Sequence, residues 1–173
     1  PAGIVCATVT LNVPAGETLD VTVAQTMPAG MTLNLNGGTI NGAQNLIIPN
    51  TFTTSGGFIN GAALSSFATP AGSTTTYTGA SNLSVGVNWL NNGTFNFNST
   101  FGDLVMQGVD FTNSGTMNLN TASNSAVLTN LTGGSLINLS QLNINPLAGI
   151  TTRLALPFDN GGTVNLNSGT TLL

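Results

Sequence analysis

The chain has 173 residues, of which 3% are charged, against about 25% in an average soluble domain. Five acids stand against one Arg, and there is no Lys and no His. The usual acid–base and nucleophile-activating groups are therefore missing, and Arg153 alone cannot form the clustered positive charge that nucleic-acid phosphates require. We expect a single-domain, non-enzymatic protein with no cofactor, no metal site and no nucleic-acid partner.

Hydropathy, cysteine content and the start of the sequence bear on where the protein is located. Mean hydropathy is +0.29, but apolar runs such as Leu46–Ile48 are far shorter than the 18 or more residues of a membrane helix, so no transmembrane segment is predicted. Cys6 has no possible partner within the chain and is expected to be a small buried hydrophobic residue. The start at Pro1, without Met or a basic and apolar leader, favours an exported mature segment. The expected location is extracellular or on the cell surface.

Local patterns along the chain predict strands and no helix. Alternation of apolar and polar residues occurs at Thr18–Val23, Thr32–Leu35 and Thr94–Phe97. Strong helix formers such as Glu, Lys and Arg are scarce, whereas Thr, Asn and Gly are spread throughout. These features predict an all-β protein.

Internal repeats are the strongest signal in the sequence. GGTINGA at 37–43 recurs as GGFINGA at 56–62, and a related unit reads NNGTFNFNS from Asn91, NSGTMNLNT from Asn113, TGGSLINLS from Thr132 and NGGTVNLNS from Asn160. Most of the steps between the equivalent asparagines are close to 20 residues, which is typical of a repeat architecture. The equivalent residues, which we predict to form an Asn ladder, are Asn41, Asn60, Asn96, Asn118, Asn138 and Asn165.

Two architectures could use these repeats. If Asn36-Gly37, Asn92-Gly93 and Asn160-Gly161 are type I′ turns, the chain is an array of hairpins in an antiparallel β-sandwich. A parallel β-solenoid is favoured, because stacking like residues on like gives a reason for repeating the strand that follows the turn. It would hold about eight coils of roughly 20 residues. Residues 1–173 would form one domain, with 1–31 a possible N-terminal strand or cap and 62–81 a possible inserted loop.

The alternation also predicts which side chains face the interior of the solenoid. Residues on one side of a strand recur every second position, so the apolar members of each unit should point inward. The predicted inward residues are Leu33, Leu35, Ile40, Phe95, Phe97, Met117, Leu119, Ile137, Leu139, Val164 and Leu166.

The units NSGTMNLNT and NGGTVNLNSGTTLL resemble the repeats of secreted β-helical surface proteins of the filamentous-haemagglutinin and autotransporter-passenger type. The resemblance covers 91–173 well and 1–61 only loosely. It implies a right-handed parallel β-helix on a cell surface, and it carries over no catalytic residue.

Few residues could carry chemistry. The acids Glu17, Asp20, Asp103, Asp110 and Asp159 are expected to be solvated turn residues, with a weak calcium site as the alternative. Trp89 and Tyr77 could stack on a glycan, but packing in the core is the simpler expectation. The run 73–78 is rich in Thr, and flat Thr arrays on a solenoid can order water, but Thr and Asn alternate irregularly along this sequence.

The two ends of the sequence both read as strands without charged or helical caps, at 4–9 and 163–173. We therefore predict a structural subunit of an extracellular fibre or sheath that joins copies of itself head to tail. The alternative is a surface adhesin segment that binds glycans or a host surface, with 62–81 as its binding loop. The residues predicted to mediate assembly are Ile4, Val5, Val9, Val164, Leu166, Leu172 and Leu173.

Overall fold

The protein is a parallel β-solenoid of about seven turns. The computed structural model describes residues 9–42, 45–60, 66–123, 126–130 and 133–172. Every strand pairing within these ranges is parallel, and they contain no helix. The predicted solenoid is confirmed, and the antiparallel hairpin array is excluded because it would require antiparallel neighbours.

Each turn of the solenoid contributes three strand segments, and we number these turns coils 1 to 7. Two long strands, β4 and β6, each supply two segments of their coils. In chain order the strands are β1 (Thr10–Pro14), β2 (Thr18–Val21) and β3 (Gln25–Thr26) in coil 1; β4 (Thr32–Gly42) and β5 (Leu46–Ile47) in coil 2; β6 (Thr51–Asn60) and β7 (Phe67–Thr69) in coil 3; β8 (Thr74–Tyr77), β9 (Leu83–Val85) and β10 (Trp89–Asn91) in coil 4; β11 (Thr94–Ser99), β12 (Leu104–Met106) and β13 (Phe111–Asn113) in coil 5; β14 (Thr116–Thr121), β15 (Ala126–Asn130) and β16 (Leu136–Asn138) in coil 6; β17 (Gln141–Ile144), β18 (Thr151–Ala155) and β19 (Phe158–Asn160) in coil 7; and β20 (Thr163–Leu166) and β21 (Thr170–Leu172) beyond it.

The segments stack into three faces. Face A contains β1, the first halves of β4 and β6, then β8, β11, β14, β17 and β20. Face B contains β2, the second halves of β4 and β6, then β9, β12, β15, β18 and β21. Face C is the separate seven-stranded sheet of β3, β5, β7, β10, β13, β16 and β19. Faces A and B belong to one sheet because β4 and β6 continue from one to the other.

The recurring Asn-x-Gly-Thr sequence forms the corner where face C leads into face A. A Cβ atom added to Gly115 would lie 2.1 Å from the carbonyl oxygen of Gly93 in the coil before it. At Gly93 and Gly162 the same addition would meet a carbonyl oxygen of the preceding coil at 2.4 and 2.1 Å. Glycine occupies this corner at Gly93, Gly115 and Gly162 because the backbone of the preceding coil lies too close there for a side chain.

The interior is a continuous apolar column with an aromatic centre. Trp89 lies in the middle, with its ring centroid 4.7 Å from that of Phe67, 5.1 Å from Phe111 and 5.2 Å from Phe95. Tyr77 stacks on Phe97 with centroids 4.5 Å apart and an interplanar angle of 9°. These rings are fully buried, so the widest part of the core is filled by aromatic side chains.

Most predicted inward residues are buried, but the phase was wrong in one repeat. Leu33, Leu35, Ile40, Phe95, Phe97, Met117 and Leu119 are fully buried. In TGGSLINLS the buried residues are Leu136 and Asn138, whereas Ile137 points outward and Leu139 is 55% exposed. The physical reason is that LINLS ends the face C strand and turns the corner, and the face A strand begins afterwards at Gln141.

The segments singled out as irregular contribute regular strands where they are described. Residues 10–26 form coil 1, and the part of 62–81 that the structure describes supplies β7 and β8, which pair in register with their neighbours. Residues 61–65 lie outside the described ranges. The strand β8 escaped the repeat pattern because Thr75 and Tyr77 take inward positions that other coils fill with Leu or Phe.

Candidate assembly surface

Asparagine ladders run along the solenoid axis on face A. The Nδ2 of Asn118 donates to Oδ1 of Asn96 at 2.8 Å, Asn143 donates to Asn118 at 2.7 Å, and Asn165 donates to Asn143 at 2.8 Å. Asn34 donates in the same way to Asn12 at 2.8 Å. In every case the donor belongs to the later coil, so this ladder has a polarity along the axis.

A second ladder on face A lies two residues further along each strand. Asn120 donates to Asn98 at 2.7 Å, Asn145 to Asn120 at 2.9 Å, and Asn167 to Asn145 at 2.6 Å. Its donors also lie in the later coil. The two face A ladders therefore have the same polarity along the solenoid axis.

A buried ladder of opposite polarity occupies the corner between faces C and A. Asn91 donates to Asn113 and Asn113 to Asn138, both at 2.8 Å, and Asn138 donates to Asn160 at 2.7 Å. Here the donor belongs to the earlier coil. The second Nδ2 hydrogen of Asn113 donates to the carbonyl oxygen of Gln141 at 2.9 Å. The buried amide of β13 therefore bonds to two strands at once, β16 through Asn138 and β17 through Gln141.

The six asparagines predicted to form one ladder lie in three columns. Asn96, Asn118 and Asn165 belong to the first face A ladder. Asn138 belongs to the corner ladder. Asn41 and Asn60 are paired on face B, where Asn41 donates to Oδ1 of Asp20 at 3.1 Å. The sequence repeat did not reveal the corner ladder, because Asn91, Asn113 and Asn160 precede the glycine rather than follow it.

Apolar groups are open to solvent at both ends of the described coils. Near coil 1 a cavity of about 260 Å³ is lined by Leu11, Leu19, Met27, Met31 and Leu46. At the other end Leu166 continues the inward column below Ile144 but is 64% exposed, and Val164 is half-buried against the core. Among the described residues, the outer edges of β1 and β2 and of β20 and β21 have no strand partner, and apolar side chains lie beside them.

The remaining predicted assembly residues are only partly described. Val9 is 54% exposed beside β1. Leu172 lies in β21, and Ile4, Val5 and Leu173 fall outside the described residues, as does Cys6. The end groups that the structure places are therefore Val9, Val164 and Leu166.

The candidate chemical residues are dispersed. No group of three or more His, Cys, Asp or Glu side chains comes together among the described residues. Asp110 accepts a hydrogen bond from the backbone N–H of Ser135 at 2.9 Å, and Arg153 is exposed on β18. Trp89 and Tyr77 are buried in the core, so neither ring can stack on a glycan at the surface.

Asp103 and Tyr77 are the two groups whose protonation the fold alters. Burial raises the pKa of Asp103, and its buried Oδ1 has no hydrogen-bond partner. The pKa of Tyr77 is raised to about 12, first by burial and then by the negative charge of Asp103, while a hydrogen bond with Ser99 opposes the shift. The Tyr77 hydroxyl donates to the carbonyl oxygen of Ser81 at 2.5 Å. Tyr77 lies in the core and Asp103 is half-buried, and we assign both a structural role.

Comparison with known proteins does not assign the chain to a family. No protein-family model matches the sequence, and no curated protein and no solved structure matches it. The part of the chain that the structure describes contains no helix with the length and apolar character needed to cross a lipid bilayer. The function is therefore inferred from the geometry of the solenoid itself.

Proposed function

We propose that this protein is a non-enzymatic structural subunit of an extracellular fibre or sheath, in which copies stack head to tail. The strand edges β20 and β21 of one copy pair with β1 and β2 of the next, so faces A and B continue across the junction. The observation that carries the proposal is the matched polarity of the first face A ladder at its two ends, Asn12–Asn34 and Asn143–Asn165.

The ladder polarity makes the two ends complementary. On face A the last described amide, Asn165, donates backward and offers its Oδ1 to a following coil. At the opposite end Asn12 accepts through its Oδ1 and offers its Nδ2 to a preceding coil. A junction between two copies would therefore repeat the hydrogen bonds that already join coils within one chain.

The apolar groups at the two ends are complementary as well. The open cavity near coil 1 would receive Leu166 and Val164 of the preceding copy, which completes the core column. Burial of apolar surface contributes about 25 cal/mol per Å², so closing both ends favours association. Charge repulsion between copies is small because the chain carries a net charge of only −4.

The test is electron microscopy and sedimentation of the full chain at increasing concentration. Eight coil levels at about 4.8 Å each predict fibres with an axial repeat of roughly 40 Å. Leu166→Arg places a charge where the junction buries an apolar group, so we expect rods of a single length, since an unpaired buried charge costs several kcal/mol. Phe101→Arg is the matched control, because Phe101 is 74% exposed on the side of the solenoid and should leave fibre formation unchanged.

Two results would contradict the proposal. One is a wild-type chain that stays as single short rods at every concentration. The other is a Leu166→Arg variant that forms fibres as readily as the wild type and the control.

A further inference from the structure

A column of threonines runs along face A and is invisible in the sequence. The first residue of each face A strand pairs in register with the first residue of the next. Seven of these eight positions are Thr and the other is Gln: Thr10, Thr32, Thr51, Thr74, Thr94, Thr116, Gln141 and Thr163. The irregular alternation of Thr and Asn in the sequence therefore becomes a regular array in the folded chain.

The threonine hydroxyls are available to a ligand. In β11 and β14 the residues alternate between half-buried and buried, so Thr94 and Thr116 point outward while Phe95 and Met117 fill the core. The hydroxyls of Thr32, Thr94 and Thr116 make no hydrogen bond within the described part of the chain. They can donate to and accept from molecules outside the protein.

The asparagine side chains in the columns beside the threonines are held in fixed positions by hydrogen bonds to each other. The two Asn ladders of face A use one Nδ2 hydrogen and one Oδ1 lone pair of each amide along the axis. The other hydrogen and the remaining lone pair of each amide are not used in the ladder. Face A is thus a rigid array of hydroxyl and amide groups that has already lost its side-chain entropy.

The spacing and neutrality of the array identify its ligand. Groups recur about every 4.8 Å from coil to coil and roughly every 6.6 Å from column to column, since two strand residues span that distance. The spacing from coil to coil is close to the repeat of water oxygens along the a axis of hexagonal ice. None of the eight face A strands carries a charged residue within the stacked segments, so no ion shell competes with an ordered water layer.

We propose that face A is an ice-binding surface, on which the threonine column and the adjacent asparagines hold water in an ice-like layer that merges with a growing crystal. This activity needs only one copy of the chain. It is therefore independent of the head-to-tail assembly proposed above.

The experiment measures the gap between freezing and melting temperature, and the shape of ice crystals, in solutions of the full chain. We expect faceted crystals and a freezing point below the melting point. Thr116→Lys should lower this gap at least fivefold at equal concentration, because the long charged side chain projects from within the array. Thr112→Lys is the control, since Thr112 is an outward, half-buried threonine on face C.

Circular dichroism and thermal unfolding establish that both variants keep the wild-type fold before they are compared. Leu166→Arg should keep the gap between freezing and melting temperature although it prevents fibre formation. This result would show that ice binding does not depend on fibre assembly. Round, unfaceted crystals with no freezing gap in the wild type would overturn the proposal, whatever the variants do. An equal loss in folded Thr116→Lys and Thr112→Lys would also overturn it, because face A would then have no special role.

Discussion

At the scale of single residues, a few polar side chains lie inside an otherwise apolar column. Thr75 lies between Phe52 and Phe95 in the inward column of face A, and its buried Oγ1 has no hydrogen-bond partner. Thr54, one coil earlier, is also buried, but its hydroxyl donates to the carbonyl oxygen of Gly56 at 3.1 Å. The two threonines therefore contribute to stability with opposite sign.

Replacing Thr75 by valine should stabilise the protein. Thr75→Val keeps the shape of the side chain and removes an unpaired buried hydroxyl, which we expect to raise the free energy of unfolding by about 1–2 kcal/mol. Thr54→Val is the control and should lower it, because the partners of that hydroxyl lose a hydrogen bond. Chemical denaturation measures both, and a destabilised Thr75→Val would show that the hydroxyl is satisfied.

Asp103 makes stability depend on pH. Because burial raises its pKa in the folded chain above the ordinary value of 3.8, the folded state holds the proton more tightly than the unfolded state. This contribution to stability is complete below the ordinary pKa and is lost as pH rises through the folded pKa. Asp103→Asn cannot ionise, so its advantage over the wild type in free energy of unfolding should grow from acid toward neutral pH.

The control for this pH dependence is Asp159→Asn, which removes one negative charge from an exposed position on β19. Denaturation curves at several pH values give the difference from wild type for each variant. If the advantage of Asp103→Asn is the same at every pH, the ionisation of Asp103 is not coupled to folding.

At the scale of elements, the corner between faces C and A connects two strands and also binds neighbouring coils to each other. Its glycines let consecutive coils approach, and its buried asparagines bond both to each other and to the first carbonyl of the next face A strand. The outer ladders repeat only the contact between amides and remain half exposed to water. Hydrogen bonds at the corner should therefore matter more, because no water replaces them when they are lost.

Asn113 and Asn118 allow a direct comparison of the two ladders. Asn113→Ala removes bonds to Asn91, Asn138 and Gln141 at a fully buried site, and we expect a loss of about 2–4 kcal/mol in the free energy of unfolding. Asn118→Ala, on the outer ladder in the next strand of the chain, β14, should cost about 1 kcal/mol or less. Equal losses in thermal or chemical unfolding would mean that burial of the corner amides is unimportant.

At the scale of the whole molecule, cohesion comes from stacking between neighbouring coils. Asparagines that hydrogen-bond to each other are 22 to 25 residues apart in sequence, so every coil depends on its neighbouring coils. With 3% charged residues, long-range electrostatics contribute little to this stacking. Both proposals use this regularity: fibre assembly extends the stacking along the axis, and ice binding uses the array of outward side chains that the stacking creates on face A.

The sequence alone determined the architecture. Two-residue alternation, scarce helix formers and repeats near 20 residues favour a parallel solenoid, and the lack of His and Lys limits the chemistry that the side chains can perform. The recurring Asn-x-Gly-Thr units marked one corner because a close approach of backbones there requires glycine.

Only the tertiary structure decided which residues share a column. Coil lengths vary, and a two-residue period cannot say on which face a strand lies, so Asn138 was aligned with Asn118 although it bonds to Asn113. Inward positions accept Leu, Phe or Thr, which hid β7 and β8 and, with them, the threonine column of face A. Register between distant segments is set by corner geometry and core packing, which are properties of the folded chain.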